Sequence, residues 1–445
     1  MTAKGFEPWV RFGDAQRTAE QQPPADRKVI ICVVNVLLVL SVVPWRSDAI
    51  FTGGVDLVVI GKALVALVAF IGAVGIVLST HRRFTVGLGP VFLAIVGLLV
   101  SALGATVAGD PKPTAVLVVR MLLILATVIL LLTVSDWEAG IGNLLGAMGV
   151  VALVAALTGL PAAATEGRLG GGVPELHPNG LAGLASTPLI GLVAVMLRRG
   201  LRLWSAIAAL ALFGIVVATG SRTALLAVTI ALVMAVLVNG IRDRKVVYLL
   251  VASLPILYGI ATFTNIFTEL ATRAGSTDAT SSLESRFDAW RAVLAWGWVS
   301  WQKWIGLGLA VKTVDVDMRW RDEQVLDSSW VSILAQVGIF GVLLVGLLVA
   351  WCFVAACSSR HRRWIVLPLL VLVVFRSITE SGLFDSAEPF VVLMVLSAVL
   401  TRRSRHGSPR SLRRTTGESR ATSPSLTYDE PSPGPHRRGR SAGES

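Results

Sequence analysis

Apolar residues in this chain come in long runs, not in the short alternating or amphipathic patterns of water-soluble domains. Runs of about 16–25 apolar residues are long enough to cross a bilayer core as helices. Twelve spans are predicted, near 29–43, 55–79, 86–108, 115–134, 139–160, 180–197, 202–219, 222–240, 246–264, 329–355, 364–375 and 387–400. The predicted fold is therefore all-α: a polytopic transmembrane helix bundle occupying 29–400. A polar segment, 1–28, precedes the bundle and a basic tail, 401–445, follows it. The first span does not read as a cleavable signal, because Pro44-Trp45-Arg46 stands where small residues would be needed.

Composition sharpens this picture. Hydrophobic residues make up 54% of the 445 positions and charged ones 15%, with a mean hydropathy of +0.72. Soluble domains carry about 25% charged residues, so a soluble enzyme, a secreted disulfide scaffold and a disordered chain are excluded. An outer-membrane barrel is disfavoured, since its strands alternate apolar and polar residues. Cys32, Cys352 and Cys357 lie in or beside apolar runs and read as small hydrophobes. The net charge of +12 does not indicate nucleic acid as a partner. Ten arginines against four acidic residues after Leu400 put half of that charge in the tail. That tail has almost no apolar residues and is expected to be disordered.

Most of the remaining positive charge clusters between spans. Arg82-Arg83, Arg198-Arg199-Arg202, Arg242-Arg244-Lys245 and Arg360-Arg362-Arg363 all become cytoplasmic if the N-terminus is inside, as the positive-inside rule requires. Ser135-Asp136-Trp137-Glu138 is the exception. Both termini are then cytoplasmic, and three segments face outward: a Gly-rich loop at 161–179, a long loop at 265–328 and a short acidic connection at 376–386. A long loop that is not of low complexity, in an otherwise compact bundle, is usually functional.

In the long loop, Leu283, Phe287, Trp290, Leu294, Trp298, Trp301 and Ile305 recur at helical spacing. Five of the 13 tryptophans fall between 290 and 304. Trp favours the membrane interface, so an amphipathic interfacial helix is expected. Arg286 and Arg291 lie on its polar side. They read either as a solvated face with local ion pairs or as forked donors to a phosphate-bearing ligand.

Other costly residues lie toward the predicted outer ends. Lys62 and Arg120 fall inside spans; they either snorkel to the outer surface or line an anion-binding cavity. Arg222 follows Thr219-Gly220-Ser221 at a tight turn that a Ser or Asn would cap equally well. His177 is the one histidine of five predicted outside, and either closes its loop or serves substrate contact or proton transfer. Asn179 is a candidate N-cap of the sixth span. The Asp315-Val316-Asp317 pair is not assigned a metal, and Gly170-Gly171-Gly172 reads as a flexible loop.

Four segments, in order, resemble the O-antigen ligase/polymerase superfamily of bacterial envelope glycosyltransferases. They are His177-Pro178-Asn179-Gly180-Leu181-Ala182; Gly220-Ser221-Arg222-Thr223-Ala224-Leu225; Ser285-Arg286-Phe287-Asp288-Ala289-Trp290 with Trp304-Ile305-Gly306-Leu307-Gly308; and Asp327-Ser328-Ser329-Trp330 leading to Leu334-Ala335-Gln336-Val337-Gly338-Ile339-Phe340-Gly341. The resemblance spans roughly residues 90–400.

It implies transfer of a glycan from a polyprenyl-diphosphate donor to an acceptor hydroxyl, on a lipid or another glycan, at the outer face of the bacterial cytoplasmic membrane. No cofactor or metal is implied. The catalytic set becomes Asp327, Arg222 and Arg286, the two arginines holding the diphosphate. His177, Asn179, Arg120, Arg291 and Lys62 become candidate substrate contacts. Ligases of the family commonly carry His where this chain has Asp327, so Asp327 is either the base for the acceptor hydroxyl or a cap of the tenth span. A polymerase of lipid-linked repeats, and a twelve-span transporter or lipid flippase, are the competing functions.

Overall fold

The computed structural model describes residues 25–45, 57–80, 87–240, 277–318 and 321–402. The predicted ninth span, the tail from 403 and the first 24 residues lie outside them. The described chain is helical apart from one hairpin. In order come α1 (Ala25–Val42), α2 (Leu57–Leu78), α3 (Gly89–Ala108), α4 (Pro111–Val134), α5 (Trp137–Glu166), α6 (Pro178–Arg199), α7 (Leu203–Ala218) and α8 (Arg222–Asn239). Then follow α9 (Thr277–Leu294), α10 (Trp301–Ile305), β1 (Thr313–Met318), β2 (Arg321–Val325), α11 (Ser329–Ser358), α12 (Arg363–Thr379) and α13 (Glu388–Thr401).

Among the described residues seven helices (α2–α6, α8 and α11) are long and apolar enough to cross a membrane, with α7 and α13 apolar but shorter. Two limits move outward from the sequence reading. α5 continues through Pro161 to Glu166, which shortens the Gly-rich loop. α12 runs a turn past its apolar stretch to Thr379, because Arg376 is buried against Glu388 and does not end the span.

α6 is the central helix. It has the lowest hydropathy of the seven, 1.9, yet 83% of its span is buried. Its small residues, among them Ala182, Gly183, Ala185 and Ser186, suit close helix packing in an apolar medium. It packs against α5, α7, α8 and α12, while α3 packs on α11 and α2 lies between α1 and α4.

The antiparallel packing gathers chain ends into two faces. On one, Arg199 pairs with Glu138, Arg402 donates to the Ser135 carbonyl, 2.7 Å, Arg362 donates to the Val399 carbonyl, 2.6 Å, and Asn239 donates to the Trp364 carbonyl, 3.0 Å. Burial depresses the affinity of Arg362 for its proton. The other face carries the N-termini of α6, α8, α11 and α13, the C-termini of α3, α5, α7 and α12, and the segment 277–328.

That segment docks through a break in α11. Gly338 has φ 72° and ψ −168°, which interrupts the helical ladder. The carbonyls of Ala335 and Gln336 turn outward and accept the amides of Leu307 (2.8 Å) and Gly308 (3.0 Å). The Gln336 side chain donates to the Val311 carbonyl, 2.9 Å. A helix interruption is stable where its freed backbone groups find new partners, and here the loop supplies them. A β-carbon at Gly338 would collide with the Trp304 backbone, and one at Gly306 with that of Gln336.

Candidate functional site

α9 lies on a satellite core formed by Ala289, Val293, Leu326, Leu334 and Ala335, with Val314 and Val316 of the antiparallel hairpin packed beside it. Arg286, Ala289 and Val293 share one face at helical spacing, which carries Arg286 inward. Its Nε lies 2.9 Å from Oδ2 of Asp327, with the side chains 27% and 32% exposed. Arg291 lies on another face: it is 81% exposed and pairs with Asp288 of its own helix, 3.4 Å.

One expectation for this loop is corrected. The helix predicted through Ile305 ends at Leu294, where Lys303 folds back to donate to the carbonyls of Leu294 (3.3 Å) and Trp296 (2.7 Å). Lys303 also stacks over Trp298, 4.2 Å from the ring centre. The apolar stripe is the outer side of α9, since Phe287 and Leu294 are both exposed, while the stripe that packs inward contains Arg286.

Asp327 does not cap α11. The N-cap position is Ser328, with no side-chain capping bond, and the Asp327 carboxylate turns to Arg286. Burial raises the affinity of Asp327 for its proton and the adjacent guanidinium opposes that shift. Ser329 and Trp330 tie this segment to α12. Ser329 Oγ donates to the Glu380 carbonyl, 2.6 Å, and Trp330 Nε1 donates to Ser377 Oγ, 3.1 Å. Burial also pushes the Glu380 carboxyl up to about 7, with Asp327 and Glu388 adding to the shift and Arg376 and Arg286 opposing it.

Arg376 links this region to α6. It pairs with Glu388 at 3.3 Å, with both side chains almost fully buried, and its guanidinium lies directly over Gly183. One turn before Gly183, Asn179 accepts a long hydrogen bond from Arg168, 3.5 Å. Arg168 also donates to the Thr219 carbonyl, 3.0 Å, and covers Gly220, whose φ of 61° makes the tight turn into α8. Arg222 is the first residue of α8 and is exposed. The N-cap of α6 is His177, not Asn179: the His177 ring accepts from the Asn179 amide at 3.3 Å. In the preceding loop, the Gly171 and Gly172 amides are bonded to the Leu176 and Ala155 carbonyls.

Lys62 and Arg120 do not snorkel; they are only 7% and 5% exposed. Arg120 donates to the Ser41 carbonyl, and its Nε is buried without a partner. Lys62 and Arg120 feel the charges of Asp385 and, for Lys62, of Lys312 and Glu388. Lys312 and Asp385 pair at 2.5 Å. Burial works against ionisation of Asp385, but Lys312 and the Ser386 amide hold its carboxyl below the usual range.

The structure thus joins Arg286 to Asp327, and Asn179 through Arg168 to the turn that opens at Arg222. It leaves Arg291 in solvent and puts Lys62 and Arg120 in a separate buried charge cluster. Sequence reasoning missed Arg168, Lys312, Arg376, Glu380, Asp385 and Glu388. The only signal was the acidic character of 376–386.

The family model for O-antigen ligase matches residues 207–346, a stretch from α7 into α11 that holds Arg222, Arg286 and Asp327. The match supports the O-antigen ligase/polymerase superfamily, a family of glycan-transfer enzymes, and covers the last three of the four motifs; the first, at 177–182, lies outside it. No curated protein matches the chain.

Proposed function

We propose that this chain is an integral-membrane glycosyltransferase of the bacterial cytoplasmic membrane. It moves a glycan from a polyprenyl-diphosphate donor to an acceptor hydroxyl on the outer face, in the manner of an O-antigen ligase. The proposal includes the twelve-span topology with both termini cytoplasmic. The observation that carries it is the Arg286–Asp327 pair, partly open to solvent, inside the stretch matched by the ligase family.

In this reading Arg286 and Arg222 hold the diphosphate. Negative charge grows on the leaving oxygen as the C1–O bond breaks, and fixed cations aimed at it lower the barrier. Asp327, the base candidate of the sequence, is engaged by Arg286, so its first task is to aim that guanidinium. Asn179, His177 and Arg168 stand together at the start of α6, beside the turn that leads to Arg222. The proposed catalytic groups Arg222, Arg286 and Asp327 lie at one end of the bundle, which favours transfer over transport, because carriers place their polar sites near mid-membrane. Whether the acceptor is a lipid or a growing glycan separates ligase from polymerase.

Purified protein given a lipid-linked oligosaccharide tests the reading. Arg222→Ala and Arg286→Ala are each expected to abolish transfer; full turnover in either removes that arginine from the site.

A further inference from the structure

The Asp327–Trp330 segment brings a second carboxylate to the site. Ser329 donates both its amide (3.1 Å) and its hydroxyl (2.6 Å) to the Glu380 carbonyl. The same hydroxyl oxygen accepts the Leu383 amide at 3.2 Å. With the Trp330–Ser377 bond, these contacts staple the turn between α12 and α13 onto the first turn of α11. Glu380 is thereby held beside Asp327. The two neighbouring carboxylates are committed, Asp327 to Arg286 and Glu388 to Arg376. The Glu380 carboxylate accepts no hydrogen bond from the described residues.

From this juxtaposition we infer that Glu380 is a further catalytic residue: it takes the proton of the acceptor hydroxyl during glycan transfer. The inference rests on the function proposed above. The acceptor oxygen bonds to the anomeric carbon as the C1–O bond to the diphosphate breaks. The electron pair of that bond leaves on the diphosphate, and the hydroxyl proton moves to the Glu380 carboxylate, which later releases it to water. An ion-paired carboxylate is a weaker base than an unpaired one in the same surroundings. This favours Glu380 over Asp327.

The charge balance agrees. Glu380 feels the charges of Arg376 on α12, Arg286 on α9, Asp327 ahead of α11 and Glu388 on α13. Two guanidinium groups thus stand against three carboxylates, and the cluster accommodates a proton readily. Burial holds the Glu380 carboxyl at about 7, and a base is most effective when its pKa lies near the working pH.

The test uses the full-length protein in detergent, a lipid-linked oligosaccharide donor and a saccharide acceptor, with turnover followed across neutral pH. Wild type is expected to gain activity through an ionisation near neutrality. Glu380→Gln should lose about 10²–10⁴-fold in kcat, lose that pH dependence and keep the donor KM. Glu380→Asp, with its carboxylate retained, should keep part of the activity and move the ionisation. Unchanged turnover in Glu380→Gln, or a persisting pH limb that Asp327→Asn abolishes, would overturn the inference and leave the glycosyltransferase reading standing. No transfer by wild type itself would sink both. Thermal melting of each variant separates lost chemistry from lost fold.

Discussion

Gly183 of α6 leaves the space in which the guanidinium of Arg376 on α12 lies. Arg376 is bonded there to Glu388 with almost no solvent contact. Removing one member of a buried ion pair costs about 3–5 kcal/mol, whereas replacing both by apolar groups is often neutral. Gly183→Ala places a methyl on the guanidinium and should displace it. The expected result is a large fall in melting temperature in detergent and loss of transfer. Arg376→Met with Glu388→Leu should melt near the wild type, and a low melting temperature for that pair would show that the charges themselves hold the bundle.

Arg286 and Arg291 stand five positions apart on α9 with opposite surroundings. Exposed ion pairs contribute about 0–1 kcal/mol, so Arg291→Ala should leave both stability and turnover close to wild type. Asp327→Asn keeps the size of the side chain and removes the charge that aims Arg286. It should weaken turnover and leave the helix cap, which Ser328 occupies, undisturbed. Activity assays on the two variants side by side decide this; equal losses would mean that α9 presents both arginines to substrate.

Stability should respond to pH through Glu380. Its folded carboxyl titrates at about 7 against an ordinary value of 4.5. Between those values the folded chain holds a proton that the unfolded chain has released. Stability from this group is therefore complete at low pH and is lost as pH rises through 7, by roughly 3 kcal/mol at most. Glu380→Gln carries no charge at either extreme. Its melting temperature should match wild type near pH 5 and exceed it increasingly toward pH 8. Parallel melting curves across that range would place Glu380 in ordinary solvent.

Much of this arrangement was legible in the sequence, and what was not has identifiable causes. Run length located the helices, because an apolar run of membrane thickness has few other solutions. Local sequence singled out Arg222 at its tight turn and Arg286 on the polar side of the loop helix, whereas Asp327 came from the family resemblance alone. It could not pair Arg376 with Glu388, or Lys312 with Asp385: partners in buried pairs are chosen by helix packing across the bundle, not by spacing along the chain. Phe287 and Leu294 of α9 are exposed, as an interfacial helix requires, and the inward stripe is marked by Ala289 and Val293. The hairpin at 313–325 was missed because Asp315-Val316-Asp317 drew attention as paired acids, although the β-branched residues around it alternate as in a strand.

The sidedness of the bundle completes the set. Val299 is fully exposed on the turn between α9 and α10, and Arg360 is exposed between α11 and α12, at the opposite face. In a chain whose Cys32, Cys352 and Cys357 are replaced by Ala, Val299→Cys should react with an impermeant maleimide applied to intact cells. Arg360→Cys should react only after permeabilisation. The physical reason is the cluster of Arg198, Arg199, Arg202, Arg360, Arg362 and Arg363 on the Arg360 face, since cationic loops are retained on the cytoplasmic side. The reverse labelling pattern would put Arg286, Asp327 and Glu380 inside the cell, away from a donor displayed on the outer leaflet, and the transfer mechanism would have to be abandoned.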